Sequence, residues 1–222
     1  MRRLPFPAAA AALVLLLASA APLAAAETVA HRVFEAGLLA DVAKPTVLRY
    51  RFELQGKAID PPYRSHVDMD VREVGTDGEK KVFFDMFEGA NRRQFGPMAA
   101  REQNPLVIVF LQRDVNQMGN LTGGSAFYFQ QQIRKAFNDP AEVEAVEVSV
   151  DDRKLPATRL VIRPFRNDPQ IERFPRFKDK AYEFVVAEGV PGGLYRIASR
   201  TPDPGDGHLI LEESMTFEEV VP

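Results

Sequence analysis

Thr46-Val-Leu-Arg-Tyr-Arg-Phe-Glu-Leu-Gln55 is the stretch on which the fold turns. Leu48, Tyr50, Phe52 and Leu54 alternate with Arg49, Arg51, Glu53 and Gln55. A two-residue period sends alternate side chains to opposite faces, so this segment reads as a strand with one buried and one wet face. Sheets of that kind are antiparallel. Downstream, Val67, Met69 and Val71 alternate with His66, Asp68, Asp70 and Arg72. The turn Gly75-Thr-Asp-Gly78 then leads into Lys81 to Phe87, where Val82, Phe84 and Met86 share a face. Arg92 to Phe95 reads as a short fourth strand.

The period then changes. Asn104-Pro105 supplies a cap and a first-turn proline, and Val107, Phe110, Leu111, Val115 and Met118 are spaced for a helix that Gly119 stops. A second helix, capped by Ser125, runs to about Phe137 on Ala126, Phe129, Ile133 and Ala136. Strands resume at Val146 to Val150, Thr158 to Arg163, Tyr182 to Val186, Leu194 to Arg200 and His208 to Val220. Leu209, Leu211, Met215 and Phe217 fall on one parity of the last. Strands, two helices, then strands predict an α+β fold. Its core element is a single curved antiparallel sheet, an open half-barrel of about eight or nine strands, covered by the two helices.

Upstream, Arg2 and Arg3, the apolar run Ala8 to Ala20 and Ala24-Ala25-Ala26 have the layout of a secretory signal peptide. Cleavage behind Ala26 makes residues 1–26 the signal peptide and 27–222 one α+β domain, sent to the periplasm by the general secretory route. The competing reading keeps the run as an uncut membrane anchor. After it, no apolar run is long enough to cross a bilayer as a helix. The chain has no cysteine, which excludes disulfides, thiol catalysis and thiolate metal sites. With 28 Lys+Arg against 31 Asp+Glu, the charge balance argues against nucleic acid as a partner.

Polar constellations carry little chemistry. No Gly-x-Ser-x-Gly elbow accompanies the three histidines. His66, Asp68 and Asp70 would share one strand face and could contribute to a metal or acid–base site of a hydrolase or metal enzyme, but Arg64 and Arg72 flank them and a solvated charged face accounts for all five. The adjacent acids Asp151-Asp152, Glu212-Glu213 and Glu218-Glu219 point to opposite faces of a strand, so none forms an acid–base pair. No catalytic residue, metal or cofactor is implied. The basic stretch Arg159 to Lys180, interleaved with Phe165, Phe174 and Phe177, is a candidate surface for an envelope protein partner or anionic headgroups.

The apolar inventory says more. Sixteen Phe and six Met accompany no Trp, and they fall on matching strand parities. A half-barrel with a helical lid whose interior is incompletely filled would hold a lipid or other apolar small molecule. The candidate lining is Leu48, Tyr50, Phe52, Val67, Met69, Phe84, Met86, Phe110, Phe129, Leu209 and Leu211. The order of strands from Thr46 to Phe95, helical insertion from Asn104 to Phe137, and strands from Val143 to Val220 resembles the periplasmic lipoprotein-carrier (LolA-like) family. That resemblance implies a half-barrel closed by helices and carries over no binding residue. The segments Asn104-Pro-Leu-Val and Val190-Pro-Gly-Gly-Leu-Tyr195 stand out as motifs of their own. The expectation is therefore a non-enzymatic apolar-ligand binder, the alternative being an interaction or scaffold module with a solid core.

Overall fold

The computed structural model describes residues 28–221, excepting Glu102 and the side chain of Glu35. The signal segment 1–26 lies outside the described residues.

Nine strands form one antiparallel sheet. They are β1 (Thr46–Gln55), β2 (Tyr63–Val74), β3 (Lys80–Met86), β4 (Arg93–Ala100), β5 (Glu142–Val150), β6 (Arg153–Ile162), β7 (Ala181–Val186), β8 (Leu194–Pro202) and β9 (Leu209–Val221). Their order is β4-β3-β2-β1-β9-β8-β7-β6-β5, open at both ends. Register slips at β1/β9, β2/β3, β3/β4, β7/β8 and β8/β9 mark the bulges that increase local twist and let a sheet curl without closing. The sequence pattern thus yields the α+β half-barrel it predicted.

Parity explains the core. Tyr50 pairs with Val67 and with Phe217, and Phe52 with Met215, so the apolar rows of β2, β1 and β9 continue one another. Ile197, Phe184 and Leu160 extend that row through β8, β7 and β6. Leu48, Tyr50, Phe52, Val67, Met69 and Phe84 are buried in a single cluster with side chains of both helices. Each fully buried side chain of this kind contributes roughly 1.5–3 kcal/mol.

The helices α1 (Pro105–Thr122) and α2 (Ala126–Asn138) link edge strand β4 to the opposite edge strand β5. The chain cannot make that passage without crossing a face of the sheet, and it crosses the apolar one. Phe110, Val115 and Met118 of α1 and Phe129 and Ile133 of α2 enter the core, and Phe137 packs edge-on against Phe184 of β7.

Three boundaries differ from expectation. The first helix passes through Gly119 and ends at Gly123, whose φ of 61° supplies the left-handed cap. Ser125 precedes α2 but makes no side-chain cap bond; Thr122 Oγ1 instead accepts from Gly124 N. The fourth strand runs on through Gly96-Pro97 to Ala100, because an edge position tolerates a residue that cannot donate to the ladder.

Candidate functional site

The seat of α1 is built from its ends inward. Asn104 accepts from Leu106 N at 3.0 Å as N-cap and donates Nδ2 to Gly192 O at 2.9 Å. The two segments that stand out in the sequence, Asn104-Pro-Leu-Val and Val190-Pro-Gly-Gly, therefore meet. Asp41 accepts from Gly192 N on the other side. Gly192 has a φ of 76°, and a Cβ there would lie 2.9 Å from Leu48 Cδ1. A side chain at this position would meet both backbone strain and a clash.

Midway along the helix, polar groups enter the apolar interior. Asp114 is buried and receives Lys180 Nζ at 2.9 Å, Ser199 Oγ at 3.1 Å and the Tyr182 hydroxyl. Lys180 also donates to Thr201 Oγ1 at 3.3 Å. Burial and the neighbouring Asp114 charge push the Tyr182 hydroxyl well above its ordinary pKa. Beside this cluster, Arg113 Nε donates to Glu213 Oε1 at 2.8 Å. Glu213 is fully buried and its Oε2 has no hydrogen-bond partner among the described residues. Burial, with a smaller push from Asp114 and against the pull of Arg113, raises the Glu213 pKa to about 7. The arrangement anchors α1 to β7, β8 and β9.

Where α1 faces the opposite edge, it does not close on the sheet. A cleft of about 890 Å³ opens between α1 and strands β3 and β4, walled by Met86, Phe87, Phe95, Met98, Ile108 and Leu121. Val109, Arg93, Arg113 and five amide side chains complete the lining, and no carboxylate is among them. Phe95, Ile108 and Leu121 are large apolar side chains left exposed here. The volume lies within the range typical of small-molecule sites.

The sequence-derived lining set is distributed unevenly around this cleft. Met86 is on its wall. Leu48, Tyr50, Phe52, Val67, Met69, Phe84, Phe110 and Phe129 are at most 1% exposed and lie in the packed core behind it. Leu209 borders a separate recess by the β8–β9 turn, and Leu211 is half-buried. Sequence reading missed Arg113 and Asp114, took Lys180 for a surface cation and gave Glu213 no role, whereas Lys180 and Glu213 are both buried. The signal was available: Asp114 falls four residues after Phe110 and four before Met118 on an apolar helix face, and Glu213 lies on the parity of Leu211 and Met215.

The outer face is charged and internally paired. Glu183 bonds Arg159, Arg196 and Arg200, and Glu212 bonds Arg196, Arg200 and Gln55. Burial works to raise the Glu183 pKa but is outweighed by Arg159, Arg200 and Arg196, which leave it lowered. Asp68 is held by Arg49 and Asp70 by Arg72, while His66 lies 3.2 Å from Glu218. Arg64, expected beside these acids, pairs with Glu53 instead.

The stretch Arg159 to Lys180 is not the continuous basic surface expected. Lys180 points into the core against Asp114, and Arg159 and Arg163 are matched by acids on neighbouring strands. Strand pairing brought Glu142, Glu144 and Glu183 against those cations, a match invisible to a linear reading.

No protein-family model and no curated protein matches this chain. Among solved structures it is similar to the Mycobacterium tuberculosis lipoprotein LppX. The two share 12% identity over 84% of this chain and 96% of that one, at a TM-score of 0.32. It is also similar to a LolA superfamily protein from Nitrosomonas europaea, with 10% identity, 89% and 96% coverage and a TM-score of 0.28. A third similarity is to a domain of the outer membrane lipoprotein-sorting kind from Vibrio parahaemolyticus, with 7% identity, 79% and 85% coverage and a TM-score of 0.22. These likenesses are weak.

Proposed function

We propose that this protein is an exported, non-enzymatic carrier that holds a lipid or other apolar small molecule in the cleft between α1 and the β3–β4 edge. The observation that carries the reading is the cleft itself, an apolar-walled space free of carboxylates on a molecule whose outer face is laced with ion pairs. The signal-peptide layout of residues 1–26 supports a periplasmic location for the domain 27–222. In this reading Met86, Phe87, Phe95, Met98, Ile108 and Leu121 touch the ligand. Leu48, Tyr50, Phe52, Val67, Met69, Phe84, Phe110 and Phe129 form the rigid floor that keeps the wall in place. Leu209 and Leu211 stand outside the binding surface.

Native mass spectrometry of protein purified from its own envelope fraction tests this directly. The expected spectrum shows the chain starting near Glu27 with a bound lipid-sized mass, and Ile108→Arg, which puts a charge on the wall, loses that mass. A spectrum of bare protein, together with no fluorescence gain from an apolar dye, overturns the reading. A second reading, a solid-core interaction module, draws support from the complete burial of the floor. It predicts a protein-sized partner mass in the same spectrum.

A further inference from the structure

Arg113 is a cationic side chain at this cleft whose fork has a fixed aspect and an unspent edge. Its Nε is committed to Glu213, and its guanidinium lies 5.3 Å from the Phe52 ring centroid and 5.2 Å from that of Phe87. Cation–π contacts of this kind hold the planar group in place. The side chain is 35% exposed and lines the cleft. Its two terminal nitrogens have no hydrogen-bond partner among the described residues.

Elsewhere the pattern is different. Arg159, Arg196 and Arg200 on the outer face each bond two carboxylates. Arg93, also at the cleft, spends Nη1 on the carbonyls of Ala90 and Arg92. An arginine fork presents parallel donors that match the oxygens of a carboxylate or phosphate. Beside it stand an apolar wall and a rim of amides, and no carboxylate lines the cleft; the Glu213 carboxylate is fully buried and bonded to Arg113 Nε rather than to either terminal nitrogen.

We infer that the cleft takes an amphiphile with an anionic headgroup, whose apolar chain lies along Met86, Met98, Ile108 and Leu121 and whose carboxylate or phosphate oxygens bond the terminal nitrogens of Arg113. This inference rests on the ligand-binding reading above and adds the chemistry of the ligand's polar end. A neutral lipid would leave the fork unmatched. The headgroup chemistry is shared by fatty acids and by phospholipid-type esters, so both enter the test.

The test uses the exported full-length chain, stripped of bound lipid and loaded with a neutral apolar dye. Hexadecanoate, hexadecyl phosphate and hexadecanol compete for the dye. At least one of the two anions is expected to displace it at roughly ten-fold lower concentration than the alcohol, the scale of a charge-assisted hydrogen bond. The tighter anion identifies the source. Arg113→Gln is expected to abolish the anion's advantage while leaving hexadecanol unchanged. If that variant does not fold because Glu213 is left alone, Arg113→Gln with Glu213→Gln replaces it, and the wild-type comparison of anion with alcohol stands independently. Equal displacement by anions and alcohol, or equal loss for all three in the variant, overturns the inference while leaving the cleft as a lipid site. A protein that fails to bind the dye at all overturns the cleft reading itself.

Discussion

Two carboxylates of the sheet, Glu183 on the outer face and Glu213 beneath α1, have pKa values displaced in opposite directions. Glu213 titrates near 7 in the folded protein and near its ordinary 4.5 when unfolded. The folded state therefore holds a proton that the unfolded chain releases as pH rises from 4.5. Stability falls across the interval from about 4.5 to 7, by up to about 3 kcal/mol at 1.36 kcal/mol per pKa unit. Glu213→Gln is expected to raise the urea midpoint at pH 8 and leave it nearly unchanged at pH 4. Glu183 behaves inversely: its lowered pKa contributes stability that is present above 4.5 and lost as the carboxylate protonates in acid. Glu183→Gln should destabilise at pH 7 and much less at pH 3. Asp114 gives a third test. Asp114→Ala strands the buried ammonium of Lys180 and should cost about 3–5 kcal/mol. The paired change Asp114→Leu with Lys180→Met should cost less than either change alone, read as a double-mutant cycle in urea.

At the scale of the element, α1 shows what local pattern reveals and what it hides. Its start is written in the chain, since Asn104 has the side chain that bonds Leu106 N and Pro105 needs no donor. Its end is not. Gly119 looks like a stop because glycine costs about 1 kcal/mol inside a helix, yet the turn continues until Gly123 supplies the left-handed conformation. The tilt of α1 is hidden too, because it depends on Asn104 meeting Gly192 and on Arg113 and Asp114 meeting Glu213 and Lys180 across the core. That is why periodicity located the packed floor but, of the cleft wall, only Met86: an open space is set by where a helix rests, and alternation along strands reports only which side faces inward. Gly192→Ala, at a φ of 76° and against Leu48, should lower stability by about 1–3 kcal/mol. Differential scanning calorimetry reads this as a lower unfolding temperature.

Across the whole molecule, the layer arrangement was legible from the succession of periods, because only the helical insertion was available to cover an apolar sheet face. The neighbour relations were not, since alternation is the same whichever strand lies alongside. The open sheet ends in β4 and β5, and each end resists further pairing by a different means. Pro97 lacks a donor in β4, while exposed Glu144 and Glu147 charge β5. Replacing Glu144 and Glu147 by Val should produce concentration-dependent oligomers, detectable by light scattering. The strand order also places β1 between β2 and β9, and Arg49 finds Glu219 across 170 positions of chain. A polypeptide threaded lengthwise through a translocation pore would thus deliver the opening strand long before the one that completes its ladder. Until β9 arrived, that ladder would lie bare on one flank. Stopped-flow refolding should then show the sheet maturing slowly, on the millisecond-to-second scale of chains ruled by distant pairings.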